Sequence, residues 1–457
     1  MRRAVLSLTL ALTALAACVP TTEAPSAGRL SSTLSTLPRM RQFSAHAARP
    51  PQRANADMAQ DFLDLSFRLE TGRDLPVLTR YEGPISLRVT GLAPATATRD
   101  LDALLARLRA EAGIAITRTD AAEATITIEF LPGKRLHGIV PGAACFVAPR
   151  VRSWTDYRRA GRDRLDWATL GERGMAAIFI PNDTAPQEIR DCLHEELAQA
   201  LGPLNDLYRL PDSVFNDDNI HTVLTGFDML MLRATYAPEL HSGMTRGEVA
   251  ARLPALLARL NPAGNARTAR HPGPTPVAYS RAIETALGHG SGRAARRTAA
   301  RTAVNIAGDM GWRDTRAGFA SLILGRLSLP GDPVAAAEAL MTAGRLYHAD
   351  PLLSVQSAHA DMQLAAFALT QGDADLAIAL ADGALPHAAE AENAALLATL
   401  LAIKAEALTL QGRDDAARST RLDSLGWARY GFGPDKEVRR QIDEIAALSP
   451  LNRSRPR

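Results

Sequence analysis

Lysine is nearly missing from this chain: of 457 residues only Lys134, Lys404 and Lys436 supply it. The net charge of +3 and the pI near 8.9 are therefore carried by arginine, and the basicity is mild. Without Lys-rich runs it gives no support for nucleic-acid binding, and no nucleic-acid partner is expected. Aromatic residues make up only 5% of the chain, which leaves few platforms for stacking single-stranded bases. No Gly-rich phosphate loop, no serine-nucleophile elbow and no glycosidase-type pair of carboxylates stands out. Cysteine occurs three times, at Cys18, Cys145 and Cys192, without the companions that a Cys-Cys metal site or a catalytic thiol needs. What remains is ordinary bulk: 46% hydrophobic residues over this length fit two or three globular domains.

The N-terminus carries a targeting pattern. Arg2 and Arg3 precede an apolar run from Ala4 to Ala14, too short for a comfortable bilayer span, so residues 1–17 read as a signal peptide. Leu15-Ala16-Ala17-Cys18 resembles a bacterial lipobox; the resemblance implies cleavage before Cys18 and acylation of its thiol, against the plainer alternative of a signal peptide with an incidental cysteine. Acyl chains would anchor the protein stably, at about 0.8 kcal/mol per buried methylene. Val19 follows the cysteine, which by the same resemblance favours the outer membrane, with the protein on its periplasmic face. Residues 18–54 are rich in Thr, Ser, Pro and Ala and read as a flexible linker. With Cys18 acylated, Cys145 and Cys192 most simply form one disulfide in an exported chain.

From Asn55 a helix is expected to about Glu70, ended by Gly72. The pattern then becomes mixed. Ile85, Leu87 and Val89 alternate as in a strand, Thr98 to Gly113 reads as a helix, and 114–116, 124–130, 145–147 and 175–180 read as strands. Asn182, Asp183 and Thr184 offer caps for the helix that follows.

That helix holds Cys192-Leu193-His194-Glu195-Glu196-Leu197-Ala198-Gln199-Ala200-Leu201-Gly202 and runs on to Asn205-Asp206. In the HExxH pattern two histidines four residues apart bind zinc and the Glu between them is general base. Counted from His194, Ala198 stands where the second histidine belongs. Shifted by one residue, Glu195, Glu196, Gln199, Gly202 and Asn205 fall on the extended motif. The expected set is then Glu195, Gln199 and Asn205 (or Asp206 beside it) as metal ligands, with Glu196 as general base. One carboxylate and two amides form a hard oxygen site, closer to the preference of calcium or magnesium than of zinc, so a divalent metal is conceivable but standard zinc ligands are lacking. A histidine arriving from elsewhere (His194, His221 or His241) would restore zinc chemistry. His194 is otherwise expected to face solvent or pair with a carboxylate. The strand and helix order fits an α+β zincin-like domain over residues 55–245.

Residues 246–310 read as a helical connector, in which Arg293, Arg297 and Arg301 share a face that either contacts an anionic lipid or polymer or is simply solvated. Residues 311–450 read as all-α. Gly331-Asp332-Pro333, Gly372-Asp373-Ala374 and Gly412-Arg413-Asp414 recur at 41 and 40 residues, like degenerate tetratricopeptide hairpins with units longer than the usual ~34 residues, or else as a non-repeating bundle.

Asp61-Phe62-Leu63-Asp64-Leu65-Ser66-Phe67-Arg68, the Cys192–Asp206 stretch, Ser213 to Asp217, and Leu224 to Met244 with Asp228, Tyr236 and Pro238 occur in an order that resembles the envelope proteins grouped as domain of unknown function 2927. The resemblance covers about residues 55–245 and implies a zincin-like domain with no established activity. Two readings stand: a lipid-anchored envelope protein that binds a peptide or protein partner without catalysis, or a divergent metallopeptidase using Glu196 as base.

Overall fold

Residues 126–131 and 176–181 are buried at almost every position, the mark of strands covered on both faces. They form the centre of the sheet in the computed structural model, which describes residues 37–44, 48–288 and 290–453. The expected signal peptide, Cys18 and the first part of the linker lie outside those residues. The described chain divides into two units, one of residues 44–273 and one of 37–43 with 274–453.

In the first unit, α1 (Asn55–Ser66) leads to a five-stranded sheet of β1 (Ile85–Gly91), β2 (Ile116–Arg118), β3 (Ile126–Leu131), β4 (Phe146–Pro149) and β5 (Ala176–Pro181). Their order is β2-β1-β3-β5-β4, all parallel except β4, which pairs antiparallel with β5. Side-chain alternation assigns the two faces. Ile126, Ile128, Phe130, Ile178 and Ile180 join the main core; it is closed by α1, α2 (Ala95–Glu111), α5 (Pro186–Leu201), α6 (Gly226–Thr235) and α7 (Arg246–Leu260). On the other face Leu131, Ala148, Ala177 and Phe179 pack under two short helices, α3 (Gly133–His137) and α4 (Trp154–Arg159), through Leu136 and Trp154. The strands were legible from sequence to within a few residues, but α3 and α4 were not, being too short to show a helical period.

The expected caps of α5 went elsewhere. Its N-cap is Ala185, with Pro186 in the first turn and no side-chain cap, because proline there needs no N–H partner. Asn182 instead donates to the Leu92 carbonyl at 3.3 Å, and Asp183 accepts the Gly133 N–H at 2.8 Å.

The second unit is helical: α8 (Val277–Leu287), α9 (Arg293–Asp309), α10 (Thr315–Ser328), α11 (Pro333–His348), α12 (Ser354–Gln371), α13 (Ala374–Glu390), α14 (Ala394–Leu410), α15 (Asp414–Gly431) and α16 (Asp435–Ala446). Consecutive helices pack as hairpins, with small residues such as Ala377, Ala381, Ala384 and Ala398 buried where they meet. Two of the recurring glycines do conformational work: Gly372 (φ +78°) and Gly412 (φ +68°) reverse the chain in the left-handed region. Asp332, Asp373 and Asn393 then cap the helices that follow. The stretch read as a connector is divided: α7 packs on α1 in the first unit, while α8 and α9 pack with α10 in the second. On α9, Arg293 and Arg301 are exposed and Arg296 donates to the Ala286 carbonyl at 2.8 Å.

Within the second unit Leu37–Phe43, part of the stretch whose composition reads as linker, lie along α15. Phe43 stacks on Trp427 at 4.5 Å and meets Tyr430 edge-on, the Arg41 N–H donates to the Gly426 carbonyl at 2.9 Å, and Arg429 donates to the Pro38 carbonyl at 2.8 Å. Among the described residues no helix is long and apolar enough to cross a membrane.

Candidate functional site

The motif helix α5 lies on the core face of the sheet, beside α2 and the edge strand β4. Three features fix it. Cys192 is bonded to Cys145, which immediately precedes β4, as the cysteine count implied. Its last carbonyls, which a helix end leaves without partners, are taken by buried side chains: Arg173 donates to Gln199, Ala200 (2.7 Å) and Gly202, and the Tyr236 hydroxyl donates to Leu201 at 3.0 Å. Arg173 also stacks over the Trp167 ring at 4.9 Å. Gly202 is needed for closeness, since a Cβ there would press on the Thr235 side chain at 3.3 Å.

The third tie is His194. Expected to face solvent or pair with a carboxylate, it is instead 2% exposed, and its Nδ1 accepts the backbone N–H of Leu224 at 3.0 Å. Burial, reinforced by the positive charges of Arg190 and Arg107, holds its pKa well below the usual imidazole range, so the ring is neutral and Nδ1 is committed. The other two histidines have partners of their own. His221 donates from Nε2 to the Pro211 carbonyl at 3.1 Å and is pushed down to about 4 by burial. His241 is exposed and meets the Ser242 carbonyl at 2.8 Å.

Glu195, Glu196 and Gln199 all lie on α5, and Asn205 lies just beyond it. Asn205 is buried, and its amide donates to the Asp64 carbonyl at 2.9 Å, tying the chain to α1. The two glutamates belong to a group of carboxyls that includes Glu70, Asp206 and Asp217. Burial, then the charges of Glu70 and Asp217, push Glu195 up to about 7. Burial and the charges of Glu195 and Glu70 raise Glu196 well above the carboxylate range, against a hydrogen bond from the Val147 N–H of β4. Glu196 is 5% exposed and its Oε2 has no hydrogen-bond partner among the described residues. Asp206 is raised for the same reasons as Glu195. Among the described residues no group of three or more His, Cys, Asp or Glu is arranged to hold a metal ion.

The remaining motif residues build a second buried network. Asp61 pairs with Arg53 and Arg209 (2.7 Å), Arg209 also reaches Asp64 at 2.8 Å, and Arg53 meets Asp212 at 3.3 Å. Asp228 accepts from Ser213 Oγ at 2.5 Å and from the N–H groups of Thr225 (2.8 Å) and Val214 (3.2 Å), closing the capping box of α6. Arg53, Arg173 and Arg209 were missed from sequence; each is an isolated arginine in irregular chain, and nothing local distinguishes it from a surface one.

Fold and site together define a mixed α+β domain whose motif helix is bolted to a sheet edge, followed in the chain by an all-helical unit. Residues 55–255 match the family described as "Protein of unknown function (DUF2927)", and the chain carries a domain of that family. No curated protein and no solved structure matches it.

Proposed function

We propose that this is a lipid-anchored envelope protein, facing the periplasm, whose first unit keeps a zincin-like frame without zinc chemistry and which works by binding a peptide or protein partner. The observation that carries the reading is the placement of the three histidines: His194 is spent on Leu224, His221 on Pro211, and His241 lies at the surface. The extended motif thus has one carboxylate and two amides to offer a metal, and Asn205 is already hydrogen-bonded to Asp64. Such donors lower the pKa of bound water far less than imidazole-held zinc does. The helical hairpins of the second unit supply the kind of stacked surface on which partner binding rests.

One observation favours the other reading, a divergent metallohydrolase with Glu196 as base. Its Oε2 is buried without a partner among the described residues, and burial raises neighbouring Glu195 to about 7, in the range where general bases operate. The two readings separate in one experiment on the non-acylated chain beginning at Val19, which retains every described residue. Bound metal and cleavage of an unfolded protein substrate are measured for this chain and for Glu196→Gln. The binding reading expects no stoichiometric zinc and no cleavage that depends on Glu196. Stoichiometric zinc lost in Glu196→Gln or Gln199→Ala, or cleavage abolished by Glu196→Gln, overturns it.

A further inference from the structure

The charge of the first unit is unevenly spread. Residues 132–164 hold eight Lys and Arg against two Asp and no Glu, a net +6 where the whole chain is +3, so the rest of the chain is net negative. Leu136 of α3 and Trp154 and Tyr157 of α4 meet in one apolar cluster, so both short helices cover the same face of the sheet. Their outward side chains Lys134, Arg135, Arg158 and Arg159 are exposed, and no acidic residue pairs with them among the described residues.

Two apolar residues project at the end of this layer. Leu92, which follows β1, is 81% exposed, and Ile139, just beyond α3, is 51% exposed. The loops after β1, β3 and β5 are tied together there: Asn182 donates to the Leu92 carbonyl, the Asn182 N–H to the Leu131 carbonyl at 2.9 Å, and the Gly133 N–H to Asp183. Exposed aliphatic tips flanked by unpaired cations suit an interface that is apolar within and anionic at its surface. A soluble polyanion would use the cations and leave Leu92 and Ile139 in water.

We infer that this end of the sheet docks on an anionic phospholipid surface, with Leu92 and Ile139 entering the headgroup boundary and Lys134 and Arg135 among the cations that hold the headgroups. Each cation close to such a surface is worth roughly fivefold in partitioning, and the attraction is screened by salt.

The test is co-sedimentation of the non-acylated chain from Val19 with vesicles of phosphatidylcholine alone, or with a third of it replaced by phosphatidylglycerol. Binding to the anionic vesicles only is expected, weakened by added salt. Lys134→Glu with Arg135→Glu is expected to cut it by about 25-fold or more, and Leu92→Ser with Ile139→Ser to cut it several-fold. Arg418→Glu with Lys436→Glu, the same change of charge at exposed positions of the second unit, is expected to leave it within about twofold of the parent. All these positions are exposed, and unchanged melting temperatures confirm folding. Absence of vesicle binding, equal binding to neutral vesicles, equal loss in the control pair, or indifference to Leu92→Ser with Ile139→Ser overturns the inference. The last result, together with binding to soluble polyphosphate, would assign the patch to a polyanion instead.

Discussion

The Nδ1 of His194 accepts the backbone N–H of Leu224 at 3.0 Å. The one imidazole on the motif helix is therefore turned to the chain that enters α6, and the helix offers only Glu195, Glu196 and Gln199 where a metallopeptidase would place its ligands and base. The disulfide, Arg173 and His194 hold the motif helix in the first unit.

The first prediction concerns the Cys145–Cys192 bond, which closes a loop of 47 residues and fixes β4 to α5. A loop of that size predicts a loss of about 4 kcal/mol when both cysteines become serine. Chemical denaturation of the oxidised, reduced and double-serine forms checks this, with the reduced and serine forms expected to agree.

Arg173 is the second. It satisfies three carbonyls at the end of α5 from a fully buried position. Arg173→Met leaves those acceptors buried and unpaired, and is expected to cost about 3–5 kcal/mol. Arg173→Lys is expected to recover little, since one ammonium cannot reproduce the planar fork. Equilibrium unfolding of both variants measures the difference.

Third, the carboxyl group gives stability a pH dependence of definite sign. Glu195 is raised from 4.5 to about 7 in the folded chain, so its contribution is fully present below about pH 4.5 and is lost as pH rises through 7. Glu195→Gln cannot ionise. The variant is expected to match the parent near pH 5 and to exceed it by about 2 kcal/mol at pH 8. The buried histidines act in the opposite sense: their depressed pKa values give stability present above about 6.5 and lost on acidification. The difference between parent and variant, measured from pH 4.5 to 8, removes that background.

The strands could be read from the sequence because the alternation in β1 and the apolar, β-branched runs of β3 and β5 are local signals, and the disulfide because the chain has few cysteines to pair. The direction in which His194 points could not be read, because it depends on Leu224, 30 residues further on and in irregular chain. Asp61, Asp64 and Asp228 stood out as motif residues, yet their arginine and backbone partners lie up to 182 residues away, beyond any pattern of spacing. The composition that suggested a linker also concealed Phe43, whose single ring is fixed by Trp427.

That contact supplies the fourth prediction. Phe43→Ala or Trp427→Ala is expected to lower the stability of the second unit by about 1–3 kcal/mol. Proteolysis within residues 37–44 is expected to accelerate in both variants, as mass spectrometry of the fragments would report.

A binding role without zinc chemistry requires the imidazole of the motif helix to be structural. The most direct measurement is the nitrogen NMR signal of His194, followed from pH 8 to 5 with and without one equivalent of zinc. A neutral ring bearing its proton on Nε2 throughout, unmoved by zinc, is the predicted result. Protonation near the ordinary value of about 6.5, or a zinc-induced shift of Nδ1, would contradict it.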